Sequence, residues 1–116
     1  MRYLVEMRLA EYARLEPREG LVFIENYILP SLELCKTLEA QGKILAGGPI
    51  SGVIGFALIV EANSALELDE IIEGLPIWPR MHTTVTALTT FDDRAKAIRP
   101  RLEQIRARIA GAMAAG

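Results

Sequence analysis

With 116 residues, a net charge of −2 and one cysteine, the chain is long enough for a single hydrophobic core. The near-neutral balance argues against a nucleic-acid or membrane-surface binder, and the lone Cys35 excludes an intrachain disulfide and a cysteine-rich metal centre. Hydrophobic residues make up 51% of the chain and mean hydropathy is +0.23. On a small domain such a surplus goes into a subunit interface, so a homodimer or a higher homo-oligomer is expected.

Tyr3 to Leu9 alternates, with Tyr3, Val5, Met7 and Leu9 facing one way and Leu4, Glu6 and Arg8 the other; this is strand periodicity. The same charged alternation is neither a signal peptide nor a membrane span, so the expected compartment is the cytoplasm. Residues 10–19 read as a connector and helix entry. From about Gly20 to Gln41, Ile24, Ile28, Leu34, Cys35 and Leu38 follow helical spacing, Gly42 supplies the stop, and Pro30 predicts a kink because it cannot donate to the Asn26 carbonyl. Cys35, set among Leu32, Leu34 and Leu38, reads as a small buried hydrophobe. Lys43 to Ala46 predicts a short strand broken by a turn or bulge at Gly47-Gly48-Pro49, and Val53 to Glu61 a central apolar strand.

Ser64-Ala65-Leu66-Glu67 is a capping box that opens a helix through Glu73. Leu75-Pro76-Ile77-Trp78-Pro79-Arg80-Met81 then predicts a rigid extended connector, since each proline fixes its own φ and restricts its predecessor. The last strand is expected over Met81 to Phe91. Pro100 suits a first helical turn and begins a helix in which Leu102, Ile105 and Ile109 share a face; the Ala/Gly-rich residues 110–116 are expected to fray. Arg94, Lys96, Arg99, Arg101, Arg106 and Arg108 read as the solvated face of that helix. The order β-α-β-β-α-β with a trailing helix specifies an α+β, ferredoxin-like sheet with one helix-free face. Two such faces closing on each other make a dimeric α+β barrel. The expected units are residues 1–92 as the barrel domain and 93–116 as an amphipathic helix making an oligomer contact.

Several blocks resemble the muconolactone isomerase-like family of small dimeric α+β barrels. Met1 to Met7 is similar to its M-x-[FY]-x-V-x-M opening strand, Leu38 to Lys43 to its L-Q-x-Q-G-K helix end, and Ser64 to Leu68 to its S-x-x-E-L helix start. Leu75 to Met81 resembles its L-P-[LF]-[FW]-P-x-M signature, and the likeness extends over roughly residues 1 to 91. Lys43 to Ile50 also looks like the G-x-L-x-x-G-P-L turn of YCII-like proteins. Where the family is rich in Trp and Arg, suited to an anionic lactone acid, this chain has Ile44-Leu45-Ala46-Gly47-Gly48-Pro49-Ile50. The His-Pro-Ser end of the family's last strand is here Phe91-Asp92-Asp93.

Strand alternation supplies candidates for chemistry. If Tyr3, Val5 and Met7 face the helices, Glu6 and Arg8 face the barrel, joined from the last strand by His82, Thr84 and Thr86. Glu6 or His82 can then serve as proton-transferring base and Arg8 as partner to an enolate or carboxylate, with Thr84 beside the substrate. Glu6 with Arg8 or Arg80 can equally be a cross-strand charge pair. Tyr3, Tyr27 and Trp78 are further substrate-binding candidates, although all three also suit packing roles. No phosphate-loop spacing and no metal-ligand cluster is present, so neither cofactor nor metal is expected. The resemblance implies a cofactor-independent isomerase shifting a double bond in a small unsaturated lactone or related catabolite. The alternatives are a barrel that binds a small apolar metabolite without catalysis, a cofactor-less oxygenase, or a purely structural oligomer module. Nucleic acid and membrane are not expected partners.

Overall fold

The alternation at the start of the chain does form a strand. In the computed structural model, which describes residues 1–10 and 15–115, β1 runs Arg2–Leu9, with Tyr3, Val5 and Met7 buried beneath helices and Leu4 and Glu6 half-buried on the other face. Part of the 10–19 connector, residues 11–14, lies outside the described residues. After it come α1 (Pro17–Phe23), a π-helical turn (Ile24–Ile28), α2 (Leu29–Ala40), β2 (Ile44–Pro49), β3 (Gly55–Glu61), α3 (Ala65–Glu73), β4 (Met81–Leu88) and α4 (Phe91–Ala115). The antiparallel strands lie in the order β2-β3-β1-β4, so the first and last strands are neighbours in a ferredoxin-like sheet.

The core is the layer between this sheet and the helices. Val5, Met7 and Val60 meet Leu38, Leu68 and Ile72, and the loop after α3 inserts Leu75 and Ile77, the latter fully buried. Ser31 is also fully buried on α2. Its Oγ accepts the Ile77 N–H at 3.0 Å, which fixes the proline-flanked loop to the helix layer. Trp78 packs half-buried against the core. Ser64 caps α3 as expected, its hydroxyl accepting from the Glu67 N–H, but the reciprocal half of the box is displaced by one residue: the Glu67 carboxylate accepts from the Asn63 N–H rather than from that of Ser64.

Several local expectations are corrected. The first helix starts at Pro17, inside the expected helix entry and three residues ahead of the apolar periodicity, because proline suits the opening turn of a helix. The irregularity expected at Pro30 appears one turn earlier, where the Leu29 N–H reaches back to the Ile24 carbonyl and widens the helix ahead of the residue that has no N–H. Gly47-Gly48-Pro49 does not end β2. The strand continues through them with a bulge between Ile44 and Ala46, and Gly47 takes φ 102°, where a Cβ would collide with the Ala57 carbonyl. The turn lies instead at Ser51-Gly52, so β3 begins at Gly55 rather than Val53.

The Leu75–Met81 connector is not extended. Trp78–Arg80 is a short 3-10 turn held by Trp78 N–H to Leu75 O and Arg80 N–H to Ile77 O, both 2.9 Å. The last strand stops at Leu88, and α4 opens at Phe91 with Pro100 in its interior. Thr90 is the reason: its hydroxyl accepts the Asp93 N–H and its carbonyl the Arg94 N–H, each at 3.0 Å, with Asp92 and Asp93 in the positive first turn. The alanine-rich end stays helical through Ala115 rather than fraying from residue 110, as alanine's high helix propensity favours.

Candidate functional site

The helix-free sheet face carries the polar group expected from alternation. In the β1–β4 ladder, Arg8 lies directly opposite His82 and Glu6 directly opposite Thr84. Side chains opposed in this way have Cβ atoms about 4.5–5.5 Å apart, and Glu6 and Arg8, two positions apart on one strand, are about 7 Å apart. Around them stand Leu4, Ala57 and Ile59, all half-buried. Glu6 is half-buried between Ala57 and Thr84, whereas Arg8, whose partner on β3 is the side-chain-free Gly55, is exposed, as are His82 and Thr84. Among the described residues Glu6 forms no ion pair with Arg8 or Arg80. The strands therefore bring together Glu6, Arg8, His82 and Thr84, and leave their face open in the single chain.

The aromatic candidates lie on the opposite side of the sheet. Tyr3 belongs to the core, and its hydroxyl reaches only the Met1 Sδ at 3.7 Å. Tyr27, on the π-helical turn, borders a cleft of about 450 Å³ whose walls include Arg18, Glu19, Phe23 and Arg80. The Phe23 and Tyr27 rings are 5.7 Å apart, and the Arg80 guanidinium sits 5.5 Å from the Tyr27 centroid, a cation–π contact. Arg80 is held in place because its carbonyl accepts the Ala10 N–H at 3.0 Å and its own N–H closes the 3-10 turn. Two guanidinium groups and a phenol over an aromatic floor suit a flat anion, since arginine pairs with carboxylates in a planar fork.

Sequence reasoning did not find this cleft. Its Arg18 and Glu19 come from a helix turn that starts earlier than the apolar periodicity indicates, and Arg80 turns toward Tyr27 only because the connector is a 3-10 turn. The Pro17-Arg18-Glu19 start was the one available signal.

A second, smaller cleft of about 230 Å³ lies between α2 and the β2–β3 edge, with apolar walls from Leu32, Ile44, Phe56 and Leu58. Cys35 borders it, its thiol pushed up first by burial and then by the Glu39 charge, so it is a poor nucleophile. Among the described residues no three His, Cys, Asp or Glu side chains cluster as metal ligands would, and no helix is long and apolar enough to cross a membrane.

Comparison with known proteins adds the following. The family model described as muconolactone delta-isomerase matches residues 1–94. A crystal structure of muconolactone isomerase is similar in fold, with a TM-score of 0.63 at 20% identity over 78% of this chain and 90% of that one. The 5-chloro-2-hydroxyhydroquinone dehydrochlorinase of Burkholderia phenoliruptrix AC1100, solved with 2,5-dihydroxybenzoquinone, is similar with a TM-score of 0.57 at 26% identity, covering 80% of this chain and 98% of that one. No curated protein sequence matches significantly.

Proposed function

The chain belongs to the muconolactone delta-isomerase family across residues 1–94, and from that premise we propose that it is a cofactor-independent isomerase that moves a proton within a small unsaturated lactone or a related ring catabolite. The reaction belongs in the enclosure formed when the helix-free sheet faces of two copies close on each other. Glu6 removes a proton next to the substrate carbonyl, leaving a dienolate, and returns it to a different carbon, so the double bond shifts with no net gain or loss. Arg8 holds the developing oxyanion or the substrate carboxylate, His82 opposite it donates to the same charge, and Thr84 borders the reacting carbon. The observation that carries the reading is the β1–β4 register, which sets Arg8 against His82 and Glu6 against Thr84 on one face amid Leu4, Ala57 and Ile59. The quinone complex of the dehydrochlorinase neighbour supports a small, flat, oxygenated ring as the scale of substrate.

A second reading rests on the Tyr27 cleft, which exists within one chain. There Arg18 and Arg80 hold the substrate anion, Glu19 is the base and the Tyr27 hydroxyl is the donor. This pair of arginines supplies the carboxylate recognition that the Ile44–Ile50 stretch lacks. Substitution separates the two. With Glu6→Gln or His82→Ala, turnover of an unsaturated lactone acid falls by about a hundredfold to ten-thousandfold, the usual cost of losing a positioned acid/base group, while the circular dichroism and Tm stay unchanged. Wild-type turnover in both variants, with loss in Glu19→Gln and Arg80→Leu, transfers the site to the cleft.

A further inference from the structure

The helix α4, which lies beyond the family match in all but its first turn, is exposed from Phe91 to Ala114, and it gives the chain an extent of 77 Å against 32 and 23 Å in the other two directions. Its apolar residues are not scattered. Phe91, Ala95, Ile98, Leu102, Ile105 and Ile109 are separated by alternating steps of four and three, the spacing of a seam made to lie along a partner. Pro100 is on the side opposite this seam, so the Lys96 carbonyl it leaves unpaired faces away from any partner. The seam's borders hold Arg94, Arg99, Arg101, Arg106 and Arg108, with Asp92 the one acid among them.

Those borders decide what the seam can meet. Two copies of α4 laid seam to seam would set arginine against arginine along both edges, and like charges there oppose pairing. The rest of the chain is complementary. Residues 91–116 hold six Lys and Arg against three Asp and Glu, a net +3, which leaves −5 on residues 1–90 out of the total of −2. The continuous helical ridge from α1 through the π-helical turn into α2 exposes Leu21, Val22, Ile24 and Leu29, each between 48% and 56% accessible, with Glu19 and Glu25 beside them. Arg18 precedes them, and Glu33 further along is already paired with Lys36 at 3.7 Å. An apolar strip whose unpaired acids, among the described residues, are Glu19 and Glu25 can receive an apolar seam edged by arginines.

We propose that α4 docks in trans on the acidic α1–α2 ridge of a second copy of this chain. Only Thr89 and Thr90 separate β4 from α4, and Thr90 is committed to the helix cap, so the helix projects away from its own ridge. Some 25 residues at about 1.5 Å each give α4 a reach of about 37 Å, enough to span the ridge of a neighbour. The contact lies on the helix layer and does not depend on the catalytic reading of the sheet face.

Hydrogen exchange of the full-length protein, read by mass spectrometry on α4 peptides, tests it apart from activity and from any sheet-to-sheet association. At tens of micromolar, α4 amides are protected at least tenfold over a free helix, and the protection falls on dilution and in 1 M salt. Reversing Arg101→Glu, Arg106→Glu and Arg108→Glu together abolishes it, as does reversing Glu19→Arg with Glu25→Arg; combining the two sets restores it. Free-helix exchange in the wild type at every concentration overturns the proposal, as does protection unmoved by either reversal. Stronger α4 protection in a 1:1 mixture of wild type and the triple arginine variant than in either alone also overturns it, since that marks helix-to-helix pairing.

Discussion

Ser31 offers a sharp test of how the fold positions its signature loop. Its hydroxyl is fully buried and is the acceptor for the Ile77 N–H, 46 residues further along the chain. Ser31→Ala removes the acceptor without creating a large void, so its main effect is a buried N–H with no partner, at a cost of about 1–3 kcal/mol. For a folded body of this size, each kcal/mol lowers Tm by roughly 4–8 °C. Urea denaturation followed by circular dichroism reads the loss as a shift in midpoint at constant slope. Thr37→Ala is the control, because that hydroxyl meets the Glu33 carbonyl at 3.3 Å on an exposed surface and its loss stays within about 0.5 kcal/mol. If Ser31→Ala matches this control, the hydroxyl does not hold the loop.

Other outcomes follow from the same geometry. Gly47→Ala forces a Cβ into the Ala57 carbonyl at positive φ, so it costs more than about 2 kcal/mol and loosens the β2–β3 pairing, seen as faster amide exchange in both strands. Cys35 reacts with iodoacetamide at pH 8 more slowly than a free thiol, because burial and Glu39 hold it protonated; a rate equal to that of glutathione contradicts this. By the same sign, the raised thiol lowers stability as pH climbs past the ordinary thiol range, where the unfolded chain releases a proton the folded one keeps. Trp78, the sole tryptophan, emits to the blue of free indole and resists acrylamide; emission as red and as quenchable as free tryptophan refutes its packing against the core.

The fold was largely legible because periodicity reports burial directly. Tyr3, Val5 and Met7 alternate since one face is covered, and Ser64 with Glu67 marks a helix start by chemistry local to four residues. Boundaries failed where a local signal has two meanings. Pro100 suits a first turn but also stands inside a helix whose true start is the Thr90 cap, and Gly47-Gly48-Pro49 suits a turn but here carries a bulged strand past the Ala57 carbonyl. The polar group on the sheet face was legible because it needs only alternation and strand adjacency. The Tyr27 cleft was not, because Arg18 and Arg80 meet through a helix start and a 3-10 turn that no single stretch of sequence encodes.

The central claim is proton transfer carried by Glu6 on the sheet face, and solvent exchange tests it most directly. Proton NMR of small unsaturated lactone acids incubated with the protein in D₂O reads both the shift of the double bond and deuterium entering at the carbon that receives the proton. The account predicts conversion with exchange in the wild type, slowed about a hundredfold to ten-thousandfold in Glu6→Gln with the fold retained. Equal rates in wild type and Glu6→Gln, or conversion no faster than the uncatalysed background with folded wild-type protein, would contradict it.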